Sequence, residues 1–345
     1  MHGWIILDKP LGLGSTQGVS AVKRALRQGG YAPGNKLPKV GHGGTLDPLA
    51  TGVLPIALGE ATKLAGRMLD SDKVYDFTVR FGVQTDTLDL EGKAVAESDV
   101  RPTWAQVEAV LPQFTGPIEQ VPPAYSALKV DGARAYDLAR AGEDVVLAGR
   151  RVTIHALAAA KPLSFRSFAA VPSPGRHKER QNWVGVGRIS LTETGGQVDS
   201  PHPNPSPEGE GLDDITLTAH VSKGTYIRSL ARDIALALGT VGHVTMLRRT
   251  KAGPFTLAHA ISLDKLAELA TARGLEQILL PLRAGLDDIP ALSLTPDQAG
   301  ALQQGRKLIG IAVHDGLHFA VLHDVPVALV EVSDHQVRVV RGFNL

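Results

Sequence analysis

The stretch that most limits what this chain can fold into is Val74 to Phe81, where Tyr75, Phe77, Val79 and Phe81 alternate with Asp76, Thr78 and Arg80. A period of two puts the first set on one face of a strand and the second on the other, so a sheet with a buried side is required. Ile215, Leu217, Ala219 and Val221 repeat the pattern. They lead into Ile227, Leu230, Ala231, Ile234 and Leu238, an apolar stripe at helical spacing that Gly239 closes. Trp4 to Leu7 is a short unbroken apolar run, predicted to be a buried strand stopping at Lys9-Pro10. Ser15 or Thr16 is placed to cap a helix bearing Val19, Val22 and Leu26, and Thr103 caps another through Trp104, Val107 and Leu111. Glu60 to Leu69 has helical character and Val152 to Leu157 reads as a strand.

With 345 residues, 43% of them hydrophobic, there is enough apolar material for two or three domains. Lys and Arg number 36 against 35 Asp and Glu, so an anionic partner has to be met by local basic patches. The absence of cysteine excludes disulfides, thiolate nucleophiles and cysteine-based metal centres. No apolar run is long enough to span a bilayer and Met1 to Pro10 lacks a basic n-region, so a cytoplasmic location is expected. Phe165 to Asp213 is rich in Pro, Ser, Gly and charge; it is expected to be a disordered insertion dispensable for chemistry. Asp287-Asp288-Ile289-Pro290 reads as a linker before a β-rich tail with a short helix near Pro296 to Gln304. His314 and His318 have the spacing of a helical metal pair, but Asp315-Gly316 between them signals a hairpin, and no metal is expected.

Val40-Gly41-His42-Gly43-Gly44-Thr45-Leu46-Asp47-Pro48-Leu49-Ala50-Thr51-Gly52 places one carboxylate in a loop almost free of bulk. Its glycines permit close approach of another backbone, and Pro48 pushes Asp47 out of helical geometry. Taken alone, these residues are better explained as an Asp-Pro turn in which the Asp bonds its own backbone. The flanking sequence adds charge: Lys23, Arg24 and Arg27 on the first helix, then Lys36, Lys39 and His42, and later Arg248, Arg249 and Lys251. Arg228 lies in the first turn of its helix and off the apolar stripe, where a cation is unusual and makes an anion site. Asp47 would be its partner, through a bidentate pair that holds the acid ionised. Thr85 to Gly92 is acidic but lacks the ligand spacing of a calcium loop and is predicted to be a hairpin. Gly12-Leu13-Gly14 with Gly18 has the wrong spacing for a dinucleotide loop and is taken as a turn.

Several of these segments occur together in a known order. Leu7-Asp8-Lys9-Pro10, the Gly41 to Gly52 loop, Gly59 to Lys63, Asp72 to Tyr75, Thr85-Asp86-Thr87, Pro122 to Lys129, Gly224 to Arg228 and Leu247-Arg248-Arg249 resemble the TruB-type tRNA pseudouridine synthases, from about Gly3 to Asp264. The resemblance implies an α+β fold: a mixed, mainly antiparallel sheet with flanking helices over residues 1–286, then a small β-rich PUA-like RNA-binding domain over 287–345. It implies isomerisation of uridine 55 in the tRNA T loop by base flipping, with no cofactor and no metal. Asp47 would be the catalytic aspartate, Arg228 its ion-pair partner and Tyr75 the aromatic that stacks on the flipped base. Tyr226 and Leu247 match pocket positions, and His42 the residue that enters the T loop. The partner would be the T arm of tRNA, no membrane is involved, and a monomer is expected.

The chemistry is consistent with these residues. Isomerisation breaks the bond from N1 to C1′ and remakes it through C5, which needs a carboxylate and a base for the C5 proton but no redox partner. The target must leave its stack, which favours an aromatic pocket and a cationic grip on phosphates. Lys23, Arg24, Lys36, Lys39, Arg248 and Arg249 are the candidates for that grip. A uridine C5-methyltransferase would need the missing cysteine. A glycoside hydrolase would want a second carboxylate, for which Asp86 and Asp89 are available without a motif pairing them to Asp47. The remaining alternative is a non-catalytic tRNA-binding or folding protein on the same fold.

Overall fold

The computed structural model describes residues 1–31, 36–126, 128–130, 132–143, 145, 147–160 and 211–345. In chain order the first part holds β1 (Gly3–Lys9), α1 (Ser15–Gln28), β2 (Val40–His42), β3 (Ala50–Leu58), α2 (Ala65–Asp70), β4 (Lys73–Phe81), β5 (Val83–Thr85) and β6 (Ala94–Glu97). Then come α3 (Trp104–Val110), β7 (Gly116–Gln120), β8 (Lys129–Val130), β9 (Ala133–Arg134), α4 (Ala135–Arg140), β10 (Arg150–Ala159), β11 (Asp214–Val221), α5 (Ile227–Ala237), β12 (Gly242–Ala252), β13 (Phe255–Thr256), β14 (Ala260–Ile261) and α6 (Leu263–Thr271). The last part holds β15 (Ala291–Ser293), α7 (Pro296–Gln303), β16 (Leu308–Ile309), β17 (Gly316–Leu322), β18 (Val325–Ser333) and β19 (Gln336–Gly342).

The main sheet runs β14-β1-β3-β12-β4-β11-β10-β7, with β13 on β12 and β2 on β3. Its pairings are antiparallel except β1 with β14 and β3 with β12, so the sheet is mixed and mainly antiparallel.

The two halves of this sheet are covered differently, and the sequence pattern follows. β1 and β3 are buried on both faces. Ile5, Leu7, Leu54, Ile56 and Leu58 pack with Val22 and Leu26 of α1 and Leu266 and Leu269 of α6. Trp4, Ile6, Val53 and Ala57 pack on the opposite side. Both strands therefore read as apolar runs. β4 and β11 bury only the face under α5 and α3, where Phe77, Val79, Leu217 and Ala219 meet Leu230, Ile234 and Val107. Their other face carries Asp76, Thr78, Thr216 and Thr218, bonded across the ladder through Thr78 and Thr216 at 2.8 Å and through Thr218 and Asp76 at 2.7 Å. Those strands alternate because one side is polar.

The tail forms a second sheet, β15-β17-β18-β19-β16. Phe319, Leu329 and Phe343 from it share a cluster with Trp4, Phe255, Leu282 and Leu286. Both Oδ atoms of Asp288 accept from the Arg67 guanidinium at 2.9 Å, so the expected linker is tied down where it leaves the first sheet. His318 lies on β17 with Nδ1 3.1 Å from the Gly316 carbonyl, which is strand and not helical geometry.

Of the expected insertion, residues 165–210 lie outside the described residues. Its last two residues are anchored: Leu212 N–H donates to Pro102 O at 2.8 Å, and Asp213 pairs with Arg101 at 2.8 Å.

One helix start differs from expectation. Neither Ser15 nor Thr16 caps α1: Gly14 is the N-cap, and the Gln17 side chain reaches back to accept its N–H at 2.7 Å. Ser15 is engaged elsewhere, in the site.

Candidate active site

Asp47 lies in the turn between β2 and β3, and the protein holds that turn from three sides. The Ser15 hydroxyl donates to Leu46 O at 3.0 Å and accepts from Leu46 N–H at 2.8 Å. Arg249, 1% exposed, donates to Val53 O at 2.8 Å, Thr45 O at 3.1 Å and Gly44 O at 3.4 Å. The buried Lys9 ammonium donates to Pro10 O at 3.0 Å, Leu13 O at 2.6 Å and Pro48 O at 3.2 Å. Burial pushes the Lys9 pKa down to about 8; Asp47 opposes that shift and Arg249 adds to it.

Two glycines of the loop serve this internal packing. At Gly52, φ is +99° and a Cβ would lie 2.2 Å from Arg249 O; at Gly43 a Cβ would lie 2.6 Å from Met68 Cβ. Both permit close approach within the protein, and among the loop glycines only Gly41 would have open space around an added Cβ.

Arg228 reaches Asp47 from α5. Its Nη2 is 2.9 Å from Asp47 Oδ2, and its Nη1 is 3.2 Å from Asp89 Oδ2. The same nitrogens donate to Tyr125 O at 3.0 Å and Thr87 O at 2.9 Å. The expected two-pronged grip on Asp47 is thus replaced by a four-way clamp, because the guanidinium spreads its donors over two carboxylates and two carbonyls. Asp89 is itself fixed: its Oδ1 accepts from Thr87 Oγ1 at 2.5 Å and from Glu91 N–H at 3.0 Å. Arg228 keeps 8% of its side chain exposed and Asp89 9%, against 43% for Asp47. Asp47 is the member of the set that faces out. A cleft opens over it, walled by Leu49, Ala50, Val244, Thr245, Met246 and Leu247.

The chain as a whole has counterparts among known proteins. Residues 33–167 match the model of the TruB family pseudouridylate synthase N-terminal domain, and residues 228–287 that of the tRNA pseudouridylate synthase B C-terminal domain. A tRNA pseudouridine synthase B of Novosphingobium aromaticivorans is 60% identical over all of this chain and 98% of its own. The chain belongs to the TruB family. A Zymomonas mobilis protein of the same description is 54% identical over all of this chain and 96% of its own length. Among solved structures, an H/ACA RNP bound to a substrate RNA containing 2'-deoxyuridine shares the fold with a TM-score of 0.63 at 22% identity, over 99% of this chain and 85% of that one.

The other expected TruB-family site residues are distributed unevenly around Asp47. Leu247 lines the cleft, paired with Ala50 on β3 and Phe77 on β4. Tyr75 is next along β4, between Ala219 and Arg249, partly buried where the two cores beneath the sheet meet. Tyr226 is the N-cap of α5; its N–H donates to Gln120 Oε1 at 2.8 Å and its carbonyl accepts from Gln120 Nε2 at 3.1 Å. The Arg150 guanidinium stacks over its ring at 4.6 Å. His42 pairs with Ile56 at the loop's entry, half-buried, and its Nδ1 has no hydrogen-bond partner among the described residues. Burial, then the Arg249 charge, hold its pKa below the usual histidine value.

Of the expected phosphate contacts, Arg249 is withdrawn from the surface because its donors are spent on loop carbonyls. Arg248 is half-turned inward, 2.9 Å from Asp8 and 3.4 Å from Thr51 Oγ1. Lys23 is partly exposed on α1, and Lys36 and Lys39 are exposed.

From sequence, Asp89 and Lys9 have no role in the site, and Ser15 is expected only as a helix cap. Lys9 left a signal, a charged residue ending a strand whose Trp4 to Leu7 run is apolar and buried. Asp89 had only its place in an acidic turn, and nothing local distinguishes it from Asp86.

Proposed function

We propose that the protein isomerises uridine 55 in the T loop of tRNA to pseudouridine, without a cofactor, with Asp47 as the reacting carboxylate. One observation carries the reading: Asp47 is the more exposed acid, over a cleft, while Arg228 and Asp89 behind it are buried and held by hydrogen bonds. A carboxylate held from one side by a fixed guanidinium is ready to act on sugar or base without reorganising. The uracil is cut from C1′, turns, and rejoins through C5; the C5 proton leaves, N1 gains a proton, and no atoms are lost.

The apolar walls Leu49, Val244 and Leu247 replace the stacking that the flipped base gives up. Tyr75 stacks on that base, its ring kept partly free for the purpose. Tyr226 lines the pocket, fixed by Gln120 and Arg150. His42, kept neutral by burial, enters the T loop without adding charge. Lys23 and Arg248, with Lys36 and Lys39, hold phosphates. Residues 287–345 act as a PUA-like domain that adds contacts to tRNA. The protein works as a monomer in the cytoplasm.

The experiment is tritium release from C5-labelled uridine in a T-arm minihelix by purified protein, with nothing added. Multiple turnovers are expected. Tight binding of the minihelix with no release would instead favour the non-catalytic RNA-folding reading.

A further inference from the structure

The open polar face of β4 and β11 ends in a cluster that the active site does not use. Asp72, which precedes β4, lies with Oδ2 3.3 Å from His155 Nε2 on β10 and 3.8 Å from His220 Nε2 on β11. The two imidazole rings are 4.8 Å apart between centroids. One ligand atom from each of the three residues lies within 4.8 Å of the others. His220 pairs with Val74, not with Tyr75, so the cluster is on the side of the sheet away from Tyr75.

A local irregularity creates the arrangement. Ile154 pairs with Val221 and Ala156 with His220, leaving His155 as the extra residue of a β-bulge. Before the bulge Val152 and Ile154 are buried; after it, Leu157 and Ala159 pack on the same core. The bulge therefore turns His155 outward beside His220 without disturbing the strand's apolar face, which is how bulges re-aim side chains. We propose that Asp72, His155 and His220 form a site for one Zn2+ ion, separate from the catalytic cleft.

The distances fit this ion. Ligand atoms at about 2.0–2.1 Å from a tetrahedral Zn2+ are about 3.3 Å apart, so one pair is already in place and the others need to close by ~0.5–1.5 Å. Two imidazoles and one carboxylate, with no thiolate, are donors that a borderline ion accepts. The three side chains are 36–49% exposed, leaving an entry path and room for water as a fourth ligand. The bound ion ties β10 and β11 to the turn that leads into β4. It takes no part in the isomerisation.

The test uses full-length protein stripped with EDTA and titrated with Zn2+ by calorimetry, with the thermal midpoint recorded alongside. One equivalent is expected to bind, and saturating Zn2+ raises the midpoint by roughly 5 °C. His220→Gln and His155→Phe should each weaken binding by about tenfold or more and abolish the midpoint shift. His155→Phe keeps a ring against His220, so its metal-free midpoint should match the parent, which separates lost ligation from lost packing. Metal-free turnover of both variants should equal the parent's. Absence of saturable binding, or one equivalent bound with unchanged affinity in both variants, overturns the proposal.

Discussion

Lys9, Arg228 and Arg249 point into the protein, whereas Lys23, Lys36 and Lys39 stay at least partly in solvent, although all six belong to the same basic neighbourhood of the Asp47 loop in sequence or space. The inward cations end on carbonyls and carboxylates: Arg249 on Gly44, Thr45 and Val53, Lys9 on Pro10, Leu13 and Pro48, and Arg228 on Asp47 and Asp89. The outward ones make no side-chain hydrogen bond or ion pair among the described residues and are the ones proposed to hold phosphates. Inward charge sets the geometry of one acid, where electrostatics is short-range and little screened; outward charge acts on a polyanion through a salt-dependent field. In sequence the two groups look alike.

Mutations should separate these roles. The largest effect is expected at Asp47→Asn, which keeps the shape and removes the anion: turnover should fall by about 10³-fold or more with minihelix affinity within a few-fold of the parent. Full turnover in that variant would remove Asp47 from the chemistry. Arg228→Lys keeps charge but cannot contact Asp47, Asp89, Thr87 and Tyr125 together, so turnover should fall about 10²-fold while affinity changes little. An equal fall in both would place Arg228 among the RNA-binding cations instead.

Arg249→Met should act first on folding. Three loop carbonyls lose their donor, a cost of about 2–4 kcal/mol in denaturant unfolding, with turnover reduced through a looser loop. If stability held and only RNA affinity dropped, Arg249 would belong with the outward group. The pair Lys23→Gln and Lys39→Gln should leave turnover at saturation unchanged and weaken binding about threefold to tenfold. The slope of log affinity against log salt should fall by roughly 1 to 2.

The smallest effect is on pH dependence. Lys9 and Lys73 each have a pKa pushed down to about 8, first by burial, from 10.5. A lysine that titrates lower when folded binds fewer protons than in the unfolded chain, so its charge penalises folding below pH 8. That penalty is relieved as pH climbs from about 8 towards 10.5. These two groups should therefore make stability rise with pH in that window, and Lys73→Met should flatten the rise in denaturant midpoints.

Much of the fold was readable because burial differs between the sheet halves. The alternation in β4 and β11 and the unbroken run in β1 record whether one or both faces are covered, and the helical stripe of α5 follows from its single buried face. Asp47 and Arg228 are locally odd, an acid among glycines and a cation in a first helical turn, whereas Leu247 is picked out only by the resemblance to the TruB family. Ser15 was misjudged as a cap since a hydroxyl near a helix start serves either the helix or a neighbouring loop, and only the approach of Leu46 decides. Asp89 was missed because its partner lies far along the chain.

Local periodicity and unusual residues determined by themselves where strands and helices run, that thiol chemistry is excluded, and which acid to examine. The tertiary structure decided which cations face inward, that Arg228 is shared between two carboxylates, and that a bulge turns His155 towards His220 and Asp72. The reason is physical: alternation and helical spacing are properties of neighbouring residues, whereas the partner of a long charged side chain is chosen by what packs against it after the chain has folded.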